Sequence, residues 1–201
     1  MTYRNQKHAM RTLIALAATQ GGYFTAKQAE KTGYAYSHLI YHLKAGNFER
    51  SGHGLYRVPT LPLSEHDDLI RLSLWSRSRD DAPQAIASHQ TALSLYDLSE
   101  LIPGIIHLTV PPDFRKRSPK HCRLHKRELD LGQVREMSGF KITSPAQTLE
   151  DLAADQSISK EQFFKAVIAA ADRGLIRKSH VKPLKAMRLS GGQIGPRKAS
   201  A

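Results

Sequence analysis

Three glycine stops and one capping box in the first sixty residues constrain this chain more than any other feature. An apolar run around Ala9, Leu13, Ile14, Leu16 and Ala17 is closed by Gly21 and Gly22. Thr25 is followed three residues later by Gln28, the reciprocal pair that starts a helix. Gly33 suits the left-handed position that ends it. Ser37 can then cap a third helix, His38 to about Ala45, stopped by Gly46. Two short extended runs follow, Phe48–Arg50 and Leu55–Val58, with Gly52, His53 and Gly54 turning between them as a hairpin. Three helices and a basic hairpin predict a winged helix-turn-helix over residues 1–60. That plan sets one helix in a DNA major groove and a wing beside it.

At 100° per residue, the third helix places Leu39, Ile40 and Leu43 on one face. His38, Tyr41, His42 and Ala45 fall opposite, with Lys44 at the edge. That outward face offers donors, acceptors and a flat ring and has no acid, which suits base edges and phosphates. With Lys27, Ser37 and the hairpin's Arg50, His53 and Arg57, these residues form the expected DNA-binding set. The bland alternative is a solvated helix face.

Charge is segregated along the chain. Residues 1–60 hold eight Lys or Arg against two acids, and 61–111 hold three against seven. Residues 112–130 hold seven against three, 131–160 three against four, and 161–201 nine against two. A net +12 gathered into three blocks favours a polyanionic partner over a general aid to solubility. A membrane surface is disfavoured, because no basic helix has an apolar face to spare from a core.

Past the wing, Pro59 and Pro62 bound a stiff linker, and the remainder reads as a second domain over 61–190. A helix is expected from about Ser64 to Ser76, with an apolar stripe of Leu69, Leu72 and Trp75. Ala85–Ala87 reads as a short buried strand or turn, and Ser88 caps another helix. Ile105–Val110 is β-rich and ends at Pro111, and Cys122–His125 and Phe140–Thr143 alternate as strands. Ser144 with Gln147 and Pro145 starts a helix, as do Ser159 with Gln162; a last helix covers about Ser179–Leu189. The fold class is therefore α+β: the winged helix-turn-helix, then a mixed domain with a small sheet and flanking helices. Residues 191–201 read as a disordered tail.

Several chemistries lack their residues. No phosphate loop and no regular strand–helix alternation support a nucleotide enzyme. No G-x-S-x-G elbow, and no acid-x-lysine on a strand, supports a hydrolase or a magnesium nuclease. Glu150 and Asp151 read as a solvated or partner-facing patch. His38 and His42 have helical metal spacing, but the glutamate of a zinc protease is missing between them. His121 and His125 would share a strand face while Cys122 points away. No catalytic residue, metal or cofactor is expected, and the protein should be indifferent to chelators. A single cysteine excludes an internal disulfide. Residues 1–8 lack the apolar stretch of a signal peptide, so a cytoplasmic protein is expected.

The runs Gly54–Val58, Leu63–Leu69, Ser88–Leu95, His107–Pro111 and Ile142–Ala153 resemble, in their order, the AbiEi antitoxin family of type IV toxin–antitoxin systems. The resemblance covers roughly residues 8–185. It implies a winged-helix repressor that binds double-stranded DNA at repeats in its own promoter. It also implies a C-terminal domain that counters a nucleotidyltransferase-like toxin functionally, without a tight complex. Homodimerisation or cooperative binding on DNA stays open. The alternative is an RNA- or protein-binding module that uses the C-terminal helices and the basic 112–130 loop, with Arg115, Lys116, Arg117 and Lys120 as its surface.

Overall fold

The structure, a computed structural model, describes residues 3–100 and 102–191. The chain is mixed α+β, with two sheets among the described residues. No described helix is long and apolar enough to cross a membrane. Apart from Gly191, the expected tail lies outside the described residues.

The described chain divides into two compact units. One takes the chain as far as Ala85, together with Glu136–Phe140. It opens with α1 (Tyr3–Ala18), β1 (Tyr23–Thr25), α2 (Ala26–Lys31) and α3 (Tyr36–Lys44). The hairpin β2 (Glu49–Gly52) and β3 (Leu55–Arg57) follows, then α4 (Asp67–Trp75). The capping box forms as the sequence predicts: Thr25 accepts from the Gln28 amide and the Gln28 side chain accepts from the Thr25 amide. The sheet runs β1-β3-β2 with antiparallel pairing throughout, Phe24 opposite Tyr56 and Arg50 opposite Tyr56 on the other side. A bulge interrupts the register between Arg50 and Gly52, and Gly54 turns the hairpin at φ 64. That left-handed value strains any residue with a β-carbon. Leu13, Phe24, Leu39 and Phe48 are the centre of this unit's core, and Phe24 meets Phe48 edge-on at 4.9 Å.

The division falls after Ala85, whereas the sequence suggests Thr60. The reason is the polar stitching of 61–85 to β1, to β3 and to the turn after α1. Tyr23 Oη donates to Asp67 at 3.0 Å, Arg57 donates to the Leu61 carbonyl at 2.6 Å, and Arg77 donates to Gln20 at 3.1 Å. The apolar face of α4 is also turned from the expected stripe: Leu69, Ile70, Ser73 and Leu74 are buried, while Leu72 and Trp75 are only partly covered.

The other unit takes Ile86–Arg135 and the described chain from Lys141. The strands of the second sheet are β4 (Ile86–Ala87), β5 (Ile106–Val110), β6 (Cys122–Lys126), β7 (Val134–Met137) and β8 (Phe140–Thr143), in the order β6-β5-β4-β8-β7. β7 is a strand that the alternation did not reveal. β5 pairs parallel with β6 and antiparallel with β4, and β4 pairs parallel with β8. The helices are α5 (His89–Leu95), α6 (Pro145–Asp155), α7 (Lys160–Asp172) and α8 (Val181–Leu189). Leu93, Leu149, Leu152, Phe163 and Val167 anchor their common core. Arg188 is buried and donates to the carbonyls of Leu152 and Ile158 with its guanidinium over the Phe163 ring, so it closes the end of α6.

Three sequence expectations are corrected here. Asp151 is buried: it accepts from Arg127 at 2.8 Å and Gln147 at 2.7 Å. Gln147 Oε1 accepts from Gln133 Nε2 at 2.6 Å and the Ser144 amide donates to the Gln133 carbonyl at 2.7 Å, so the expected box does not close and α6 starts with Ser144 as a one-way cap. His121 stands before β6 at φ 58, so it shares no strand face with His125.

Candidate nucleic-acid interface

The third helix starts two residues earlier than expected. Its N-cap position is Ala35, and no side chain caps it. Ser37 therefore lies within the first turn, exposed, and its hydroxyl is not used as the cap.

The helix is also rotated relative to the expected faces. Leu39 is 2% exposed, whereas Ile40 is 38% exposed. His38 and His42 are half-buried. The cause is Tyr34 and Phe48, which flank the helix in sequence and pack on its histidine side. The Tyr34 ring lies 5.9 Å from His38 and 5.6 Å from His42, and Phe48 lies 5.3 Å from His42. Asn47 Nδ2 donates to His42 Nδ1 at 2.9 Å, which leaves the proton of the neutral ring on Nε2. Burial, and then the neighbouring His38, push the His42 pKa down from its usual value. The Tyr34 phenol, buried and donating to Met10 Sδ, is pushed up to about 12.

The outward arc is consequently Ser37, Ile40, Tyr41 and Lys44, with Tyr41 66% exposed. No acid occurs anywhere between Tyr36 and Lys44. This arc can present a phenol, a hydroxyl and an ammonium side by side. The chain turns from α3 directly into the hairpin, because the amides of Asn47 and Phe48 both bond to the His42 carbonyl. His53 at the turn and Arg50 on β2 are exposed; Arg50 Nε also reaches the Gly52 carbonyl at 3.4 Å.

Two expected contact residues are committed elsewhere. Lys27 is exposed, but its ammonium donates to the Arg79 carbonyl at 2.8 Å. Arg57 is half-buried and holds the Leu61 carbonyl, with Nε buried and unbonded among the described residues. Both tie the unit together. In the other unit, Arg115, Lys116, Arg117 and Lys120 are all exposed on the 111–121 connection, which Phe114 anchors by its buried ring.

One constellation escaped the sequence reading. His89, His107 and His125 each bring a ring nitrogen to within 4.8 Å of the others. Their parent segments are 18 residues apart or more, so no local spacing announces them.

Residues 11–59 match a family described as transcriptional regulator, AbiEi antitoxin. The match runs from within α1 through the hairpin, the segment that carries the exposed arc of α3. It bears out the resemblance to the AbiEi antitoxin regulators that the sequence motifs suggested. No curated protein matches the chain.

Proposed function

We propose that the first unit contains a winged helix-turn-helix that binds double-stranded DNA, and that the protein regulates transcription from its own promoter as an antitoxin-type repressor. In this reading α3 enters the major groove. Ser37, Tyr41 and Lys44 face the bases and phosphates, and Arg50 and His53 on the hairpin contact the flanking backbone. The observation that carries it is the acid-free outward arc of α3, with Tyr41 two-thirds exposed on a helix whose other side is packed. A tyrosine left in water on a rigid helix has both a stacking face and a hydrogen-bonding tip to offer a partner.

His38 and His42 support this arc from behind, and Lys27 and Arg57 hold the unit together; they are not base readers. The second unit has the antitoxin task. It counters a nucleotidyltransferase-like toxin functionally, without a tight complex. The protein is read as a regulator rather than an enzyme, acting in the cytoplasm.

The exposed Arg115, Lys116, Arg117 and Lys120 favour a second reading, an RNA or protein surface on the 111–121 connection. A DNase footprint of the full chain on its own promoter separates the two. The proposal expects a protected repeat whose affinity falls with salt, with a log–log slope of several units for several phosphate contacts. Equal binding to promoter and unrelated duplex, unchanged by Tyr41→Ala, would favour the second reading.

A further inference from the structure

His89 opens α5, His107 lies in β5 and His125 in β6. The sheet explains how two of them meet. β5 and β6 are parallel, with Thr109 opposite His125 and His107 opposite Arg123. Paired residues, and residues two apart, share a face, so His107, Thr109 and His125 stand on one side of the sheet. The third comes from the connection of β4 to α5. The Ser88 amide bonds to the His107 carbonyl at 3.0 Å, and the His107 amide to Thr91 Oγ1 at 2.8 Å. This lays His89 over the pair.

The contacts among the rings are close. His107 Nδ1 and His125 Nε2 are 3.0 Å apart. The His89 and His125 rings stack at 3.6 Å between centroids, 15° from parallel. His89 and His107 are 7% and 2% exposed. His89 holds a left-handed backbone at φ 51, an uncommon state for a residue with a side chain. Thr109 Oγ1, on the same sheet face, is buried with no hydrogen-bond partner among the described residues. Asp155, at the end of α6, acts electrostatically on all three rings and lies 3.8 Å from Arg123.

Three imidazoles packed together, two of them buried and one half-buried, are a poor hydrophobic core and a good nitrogen donor set. Ser88 Oγ lies 3.0 Å from His89 Nδ1, and with the hydroxyl accepting there Nε2 keeps its lone pair. We propose that His89, His107 and His125 bind one zinc ion, with the Asp155 carboxylate supplying the nearby negative charge. Imidazole nitrogens select zinc-like ions, while magnesium and calcium require oxygen cages. Tetrahedral zinc, with bonds of about 2.0–2.1 Å, sets its donors about 3.3 Å apart. His107 and His125 are close to that spacing. His89 has to turn edge-on from its stacked position. The ion would clamp α5 to β5 and β6.

The test uses the full chain, prepared without a histidine tag and stripped with a chelator. Zinc chloride is titrated by calorimetry, with magnesium chloride in parallel. One zinc per chain, no magnesium binding, a raised melting temperature, and at least tenfold weaker binding in His107→Gln and His125→Gln are expected. Imidazole 1H–15N spectra of the unaltered protein decide the matter if those variants do not fold. Zinc should move the resonances of His89, His107 and His125 and leave those of His38 and His42 in place. Absence of stoichiometric zinc binding, equal binding of magnesium, or shifts confined to His38 and His42 would overturn the proposal.

Discussion

His38 and His42 sit four residues apart on one helix, while His89, His107 and His125 converge from three elements of the other unit. The first pair has the spacing of a metal site but the surroundings of packing residues: Tyr34, Phe48 and Asn47 take their faces and edges. The second group has no spacing to notice, and its rings contact each other and a serine. Sequence distance thus reports which side chains are neighbours on a helix. What those side chains can do depends on what the tertiary fold brings against them.

The largest effect expected is on the packed side of α3. Leu39→Ala opens a cavity at a nearly inaccessible position and should cost about 2–5 kcal/mol in urea unfolding. Ile40→Ala, on the outward arc, should stay within about 0.5 kcal/mol. Equal losses at the two positions would contradict the rotated face and restore the faces expected from periodicity.

A smaller effect separates His42 from Tyr41. His42→Ala removes the Asn47 bond and the contacts with Tyr34 and Phe48, and should cost about 1–2 kcal/mol. Tyr41→Ala should unfold as wild type does. If His42→Ala is neutral, the ring is a free surface group and belongs back in the DNA-facing set.

The most gradual effect is the acid limb of stability, measured without metal. His89 and His125 are held at about 3 and about 4, below the usual 6.5, by burial and neighbouring rings. The unfolded chain then binds more protons than the folded one in this window. Stability should be full above pH 6.5 and fall as pH drops from there toward 4. Asp151, raised to about 6 by burial, works the other way, because its folded form keeps a proton that the unfolded form loses between about pH 4 and 6. The wild-type curve should fall, His89→Gln should flatten it, and Asp151→Asn should steepen it. A flat wild-type curve between pH 6.5 and 4.5 would show that the imidazoles are not buried in their neutral form.

The first sixty residues were legible because their signals are local. The Thr25–Gln28 box and the turn at Gly54 each act within a few residues, and the structure contains both. The rotation of α3 was not legible, since it depends on Tyr34 and Phe48, which lie outside the helical repeat. The second unit was legible element by element, in α6 and α7 above all, but its sheet order was not. β5 and β6 are parallel neighbours joined by residues 111–121, with no helix between them, and nothing in their alternation announces that pairing. The histidine cluster follows from that pairing, so it was hidden with it. Asp151 misled for a similar reason: an acid on a helix reads as solvated until Arg127 is known to stand beside it.

The central claim is that the outward arc of α3 reads DNA sequence. It is tested most directly by competitive binding of promoter and scrambled duplex to wild type and Tyr41→Ala, with melting temperatures taken alongside. The account predicts an unchanged melting temperature and a loss of about 1–3 kcal/mol on the promoter, with little change on the scrambled duplex. Undiminished discrimination by a folded Tyr41→Ala protein would contradict it.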